Sequence, residues 1–140
     1  MTAPPRWFTI AAIAAILFEA MGVATYALDV LRSPQQVAAL PIRQQLIWAA
    51  TPRWITGAYA VAVFAGLSGA VGLALRRTWS IPLLGLSLLA VIVQFGGLFF
   101  VPRLSALQRP VGLAQPLGIA VVCALIYWLA HRAHHRGWLK

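Results

Sequence analysis

Charge is scarce in this sequence, and negative charge is almost absent. Only 9% of the 140 residues are charged, and two of them are acidic, against eleven lysines and arginines. A soluble domain carries about 25% charged residues, so this chain cannot cover a water-exposed surface of ordinary composition. With 61% hydrophobic residues and a mean hydropathy of +0.84, the composition indicates an integral membrane protein.

Residues that commonly carry catalysis are equally scarce. The two acids, Glu19 and Asp29, lie about 15 Å apart along a helix axis, so they cannot form a catalytic carboxylate pair. Cys123 is the only cysteine, which excludes an internal disulfide and a CxxC site. The three histidines, all within residues 131–135, have no cysteine or acid nearby in the sequence, and we predict no metal site there. There is no Gly-rich phosphate loop or nucleophile elbow, so we expect neither an enzyme nor a cofactor.

Four long apolar runs organise the chain, at residues 8–28, 55–75, 81–101 and 111–129. Each is close to the about 20 residues that cross a bilayer as a helix. Lipid offers no partners to the backbone, so each run must be helical. All six tryptophans and every basic residue lie at or beyond the ends of the runs, where the headgroups would be. The sequence therefore predicts one all-α transmembrane domain over residues 1–140, a four-helix bundle.

The first run is interpreted as a true span. It is longer than the apolar core of a typical signal peptide, and it has a carboxylate near its centre.

The first connection, residues 29–54, predicts short helices on the membrane surface. Ser33-Pro34 and Leu40-Pro41 are both typical helix starts. Apolar residues then recur at helical spacing within residues 42–50, opposite arginine and glutamine. The alternative, a lid over a cavity, has no support in the sequence alone.

The second connection is a short RRTWS segment, residues 76–80, so we expect spans two and three to be antiparallel neighbours. Ser80 is predicted to cap the third helix, with Pro82 in its first turn.

The distribution of basic residues predicts the orientation. With four spans, both termini and residues 76–80 share one side with six basic residues, and five lie on the other, which makes the total of eleven. The positive-inside rule then favours cytoplasmic termini in a bacterial inner membrane. Because the net charge of +9 is divided between both faces, we attribute it to topology and to anionic lipids as partners, and expect no nucleic-acid binding.

Small residues form a stripe along the second span. Ala58, Ala62, Gly66 and Ala70 recur every four residues, on one side of a helix. Such a stripe lets another helix approach closely, and we interpret it as a packing surface rather than a ligand groove.

Glu19 is the most unusual residue of the sequence, because it lies near the middle of the first span. A charged carboxylate at that depth is unfavourable by roughly 2.5–3.5 kcal/mol on insertion scales. No lysine or arginine lies within a span, so the available partners are neutral: Gln94, Ser68 or Ser87. Intramembrane acids are functional candidates by default, but a protonated glutamate can also simply join helices by a hydrogen bond.

Helical spacing extends the site beyond Glu19. One face of the first span holds both acids of the protein, with a tyrosine between them; its members are Ala12, Ala15, Glu19, Gly22, Tyr26 and Asp29. A polar stripe of this kind should face the bundle interior, a water-filled crevice or a second copy of the chain. We therefore propose Glu19, Tyr26, Asp29 and Gln94 as binding residues for a proton or ligand, while Asp29 beside Arg32 can equally be a surface ion pair.

Two resemblances to known families follow from short motifs. The stretch AILFEAMG, residues 15–22, is similar to the first helix of the small multidrug resistance transporters. That resemblance implies that Glu19 binds a proton and a cationic substrate in turn within a dimer. The chain departs from the family in its long first loop and in its third span, which reads VIVQFGGLFF.

Most of the chain resembles a family of small four-span bacterial inner-membrane proteins of unknown function, loosely labelled sugar transporters. The resemblance lies in MGVATY, SPQQVAALP, the Pro-Arg-Trp entry to the second span and the HHRGWLK end. It implies a fold and a compartment but no activity.

Two functions stay open at this point. The first is a proton-linked transporter or binder of a small solute, expected to be a homo-oligomer because four spans leave little room for a central cavity. The second is an accessory subunit of a larger membrane complex, packing through the glycine and alanine faces.

Overall fold

A computed structural model describes residues 3–109 and 112–140 of the chain. Within these ranges the regular structure is entirely helical. The helices are α1 (Arg6–Val30), α2 (Pro34–Ala38), α3 (Ile42–Ala50), α4 (Arg53–Ala74), α5 (Ser80–Phe100), α6 (Pro102–Gln108) and α7 (Ala114–His135). The predicted all-α four-helix bundle is confirmed.

The four long helices, α1, α4, α5 and α7, are each long and apolar enough to cross a membrane. Their bounds agree with the first three predicted runs to within one or two residues. The fourth run was predicted from Val111, which lies outside the described residues; α7 begins at Ala114 and continues past the apolar run to His135. Length and composition together indicate a multi-pass membrane protein.

The connections divide the bundle into two sides. The chain enters α1, turns from α4 to α5 and leaves α7 on one side, called here the terminal side. The short helices α2, α3 and α6 lie on the other, called the loop side. Helix α4 packs between α1 and α5, and α7 packs mainly against α5.

The terminal side is closed by a tightly packed core. Its buried side chains come from all four long helices and from the C-terminal residues; they include Phe8, Ala12, Ala15, Leu73, Leu84, Leu129, Ala130 and Trp138. Residues after α7 are fixed to the α4–α5 turn by backbone bonds: the Lys140 N–H donates to the Arg76 carbonyl at 2.6 Å, and the Thr78 N–H donates to the Lys140 carbonyl at 3.0 Å. The bundle is thus held together most firmly at this end.

The helix starts predicted in the first connection agree with the structure. Ser33 caps α2: its hydroxyl accepts from the Gln36 N–H at 3.2 Å, while the Gln36 side chain accepts from the Ser33 N–H at 2.8 Å. This reciprocal pair is a capping box, which fixes a helix start. Helix α3 follows from Pro41, as predicted.

Two local features differ from expectation. Ser80 is the first residue of α5, not its cap, and its buried hydroxyl has no hydrogen-bond partner within the described ranges. Helix α6 was not predicted, although Pro102 at its first turn is the same start signal as Pro34 in α2. Helix α6 contacts α3, so the two short helices meet on the loop side.

Candidate functional site

Glu19 lies on the inward face of α1. The buried residues of α1 are Phe8, Ala12, Ala15 and Glu19, which recur at the steps of three and four that define one side of a helix. The Glu19 side chain is only 5% exposed. Further along the same face, Gly22 approaches Val63 of α4. The stripe identified in the sequence is therefore the surface by which α1 packs on the bundle.

Gly66 of α4 provides the space that the Glu19 carboxyl group occupies. A Cβ atom placed on Gly66 would lie 2.5 Å from Glu19 Cδ and 2.9 Å from Oε1, and closer still to Oε2. Real Cβ atoms do not approach other atoms so closely. A glycine at this position is thus needed for the observed placement of the carboxyl group.

The small-residue stripe on α4 packs against other helices of the same chain. Ala62, Gly66 and Ala70 are buried, and Ala58 is partly buried. Gly66 receives the Glu19 side chain from α1, while Gly69, one turn further, lies against Leu84 of α5. The stripe therefore serves helix packing within one copy of the protein.

The Glu19 carboxyl group forms no hydrogen bond with another described residue. Of its three predicted partners, Ser68 is exposed on the outside of α4. Ser87 is buried but donates to the Ala62 carbonyl at 2.6 Å, which joins α5 to α4. Of the three, only Gln94 lines the same cavity as Glu19. The carboxyl group thus retains its capacity to bond to a ligand.

Glu19 lines a cavity of about 630 Å³. Its walls come from α1, α4, α5 and the α6–α7 region, and include Phe18, Glu19, Met21, Gly22, Thr25, Asp29, Tyr59, Ala62, Val63, Val91, Gln94, Phe95, Leu98, Gln108, Gly112, Gln115, Pro116, Ile119 and Cys123. These residues extend from the middle of the bundle to the loop side. The expectation that four spans leave little room for a cavity is therefore wrong, because α1 and α7 pack on α4 and α5 and leave a cleft between them.

The cavity is closed at one end and open at the other. Glu19 lies at its inner end, next to the core that seals the terminal side. Asp29 lies about 15 Å further along α1, at the loop side. Met21 lines the cavity and is nevertheless 63% exposed, so the cleft also opens sideways along α1.

Asp29 both forms an ion pair with Arg32 and lines the cavity. Its Oδ1 accepts from Arg32 Nη2 at 2.9 Å, an ion pair within one turn of chain. The Asp29 side chain is still 44% exposed, and it also lines the outer end of the cavity. It is therefore a partly neutralised acid at the mouth, and not a second buried carboxylate.

Tyr26 does not line the cavity. Its ring packs edge-on against Tyr59 and Phe64, with centroid distances of 5.1 and 5.9 Å. Tyr59 of α4 is the tyrosine that contributes to the lining. The helical spacing in α1 identified the inward face correctly, but it could not show that a ring from α4 would stand between Tyr26 and the cavity.

Sequence reasoning missed the contribution of α6 and α7. Gln108, Gln115 and Cys123 all line the cavity, and Cys123 is buried. The signal was present, because Gln115, Ile119 and Cys123 recur every four residues and so share a helix face. It pointed to no partner, since the side of α7 that faces α1 across the cleft depends on the packing of helices distant in sequence.

Together these features define a class: a multi-pass, all-α four-helix bundle in which an acid without a partner among the described residues lies at the inner end of a largely apolar cleft. Comparison of the chain with protein-family models, with curated proteins and with solved structures finds no match. The two family resemblances seen in the sequence stay predictions.

Proposed function

We propose that the protein binds a small solute in the Glu19 cavity and that Glu19 exchanges a proton for it, as in a proton-linked transporter. The observation that carries this proposal is the buried Glu19 carboxyl group, without a hydrogen-bond partner among the described residues, at the inner end of a cavity of about 630 Å³. A glutamate that only joined two helices would have a partner on the second helix.

The depth of Glu19 supports the proton exchange. An ionised carboxylate near the bilayer centre is unfavourable by roughly 2.5–3.5 kcal/mol, so the empty site favours a protonated acid. A ligand that brings a positive charge or a hydrogen-bond donor makes release of that proton less costly. Proton and solute then compete for one carboxyl group, which couples their movements.

The lining indicates the chemical class of the solute. Its side chains are mostly apolar, with glutamine amides from α5, α6 and α7 as the main neutral polar groups. Both acids of the protein contribute to the walls, whereas no lysine, arginine or histidine of the described chain does. This supports a neutral or cationic solute with an apolar body and a donor group, and disfavours an anion.

In the proposed transport, the observed cavity would be one state of an alternating-access cycle. It opens to the loop side, while the terminal side is sealed by the core around Phe8 and Leu129. Transport would require a second state in which this core parts and the loop side closes.

We further propose that the protein acts as a homo-oligomer in the bacterial inner membrane, with both termini in the cytoplasm.

Labelling with dicyclohexylcarbodiimide tests the proposal, because this apolar reagent modifies protonated carboxyl groups that it can reach from lipid. Purified protein in mild detergent should gain one adduct, and peptide mass spectrometry should place it on Glu19. The Glu19→Gln variant should gain none, while the Asp29→Asn variant, the matched control, should label like the parent. Labelling of Asp29 alone, or of neither acid, would count against a reachable, protonated Glu19.

Competition then tests the solute class. Tetrapropylammonium, an apolar cation, should slow labelling of Glu19, whereas propanesulfonate, an anion that carries one of the same propyl chains, should not. In proteoliposomes that contain a pH-sensitive dye, a tetrapropylammonium gradient should drive proton movement that the Glu19→Gln variant lacks. Proton movement that persists unchanged in this variant would refute the exchange at Glu19.

The alternative is an accessory subunit of a larger membrane complex. The α4 stripe on which that hypothesis rested is occupied by α1 and α5, so a partner would need a different surface. Native mass spectrometry of the protein extracted from its own membrane distinguishes the two. A homo-oligomer supports the solute-binding proposal, and a stable mass that contains other proteins supports the accessory subunit.

A further inference from the structure

A second concave surface lies at the terminal side, on the last turns of α7. It has a volume of about 560 Å³ and is lined by Trp128, His131, Arg132, His135 and Arg136. We call these five residues the C-terminal basic cluster. They recur at steps of three and four, so they form one side of α7.

The side chains of the cluster are arranged against each other. The Arg132 guanidinium lies over the Trp128 ring, 5.1 Å from its centroid, which is a cation–π contact. The His131 and His135 rings are stacked with centroids 6.4 Å apart. Two arginines and two imidazoles thus converge on one hollow, with an indole at its inner edge.

No acid of the protein neutralises this surface. Glu19 is buried in the middle of α1, and Asp29 lies on the loop side, where it is bonded to Arg32. That bond is the one ion pair within residues 3–109 and 112–140. The negative end of the α7 dipole favours cations here. It does not explain why the cations share a hollow with a tryptophan.

The depth of the cluster along α7 indicates which ligand it meets. The apolar part of the span ends at Leu129, so Trp128 lies at the edge of the hydrocarbon and Arg136 lies about 12 Å further out. Trp7, Trp79 and Trp138 mark the same side of the bundle. Lipid phosphates occupy this zone, just beyond the level that tryptophan prefers.

We propose that the C-terminal basic cluster binds the phosphate of an anionic phospholipid. Arg132 and Arg136 donate to the phosphate oxygens, and Trp128 contacts the glycerol and the first methylenes of the chains. Basic pockets beside transmembrane helices commonly bind such headgroups. The indole favours a lipid over free phosphate, because only a lipid has an apolar part to place against it. This site is independent of the Glu19 cavity.

The test is lipid retention measured by native mass spectrometry. Protein in mild detergent is mixed with phosphatidylglycerol, or with phosphatidylcholine as the zwitterionic control. The parent protein should retain phosphatidylglycerol preferentially. The double variant Arg132→Gln/Arg136→Gln should bind it about thirtyfold more weakly, given the typical contribution of each basic residue near an anionic lipid.

The matched control is Arg76→Gln/Arg77→Gln, which removes the same charge on the same side of the bundle. It should retain phosphatidylglycerol like the parent. Equal loss in both double variants would overturn the proposal, since it would show a diffuse charge effect. Far-UV circular dichroism verifies that each variant is folded, and Arg132→Lys/Arg136→Lys offers a milder pair that should keep part of the affinity.

A third arm distinguishes the two sources of phosphate. Millimolar inorganic phosphate should leave phosphatidylglycerol retention unchanged, as expected of a site that also needs Trp128. Full displacement by inorganic phosphate, or equal retention of phosphatidylcholine, would refute a site for an anionic lipid. The Trp128→Ala variant should weaken lipid retention without a change in charge, and an unaffected affinity would remove the indole from the site.

Discussion

Replacing Gly66 with alanine should destabilise the bundle, because the new methyl group would enter the space that the Glu19 carboxyl group fills. The added Cβ would lie 2.5 Å from Glu19 Cδ, so the carboxyl group must move. Overpacking of this kind costs about 1–3 kcal/mol. The ordinary gain of alanine over glycine in a helix, roughly 0.5–1 kcal/mol, offsets part of this cost, so we expect a net loss of about 1 kcal/mol.

Gly57 is the matched control on the same helix. A Cβ at Gly57 meets nothing within 4 Å, and the residue is exposed. Alanine there should stabilise the helix by roughly 0.5–1 kcal/mol, the ordinary gain over glycine. Gly57→Ala and Gly66→Ala should therefore change stability in opposite directions. Equilibrium unfolding in mixed detergent micelles, followed by far-UV circular dichroism, measures both.

A double-mutant cycle isolates the contact. In a Glu19→Ala background the space against Gly66 is empty, so Gly66→Ala should become neutral or stabilising. Residues in direct contact show interaction energies of about 0.5–3 kcal/mol in such cycles. If Gly66→Ala had the same effect in both backgrounds, Gly66 would not hold the Glu19 carboxyl group. The arrangement described above would then be wrong.

Three further results are expected. Ser87→Ala should lower stability by about 0.6 kcal/mol, the average for a hydrogen bond between membrane helices, since it removes the bond to Ala62, whereas Ser68→Ala on the outside of α4 should have no effect in the same unfolding assay. Cys123, the only thiol, lines the cavity, so tetrapropylammonium should slow its reaction with a small apolar maleimide in the folded protein; an unchanged rate would place the bound cation elsewhere. A C-terminal green fluorescent protein fusion should fluoresce in bacteria and an alkaline phosphatase fusion should be inactive, as expected for a cytoplasmic C-terminus; the reverse pattern would invert the orientation.

The spans could be predicted from the sequence because each is a local property. An apolar run of sufficient length must be a helix in lipid, whatever it packs against. Start signals were equally local: Ser33 with Gln36 encodes the capping box of α2. Helix α6 was missed because residues between two apolar runs were treated as loop, although Val101-Pro102 is a helix start of the same kind.

The site was only half predictable, for a different physical reason. The inward face of α1 follows from helical spacing, so Glu19 and Asp29 could be assigned to it. The cavity depends on the distance between α1 and α7, which are far apart in the sequence and are positioned by α4 and α5. For that reason Tyr59, Gln115 and Cys123 could not be added to the lining, and Tyr26 could not be removed from it.

The energetics of Glu19 connect its structure with the proposed function. A carboxyl group that is largely removed from water and has no hydrogen-bond partner among the described residues lowers stability relative to an apolar side chain of similar size. Its contact with Gly66 supplies space but no donor. Under the proposed function, a ligand that brings a donor to the inner end of the cavity would use this hydrogen-bonding capacity. The partial desolvation of Glu19 therefore supports the proposed binding, because a residue that served only to hold α1 against α4 would have a hydrogen-bond partner on one of these two helices.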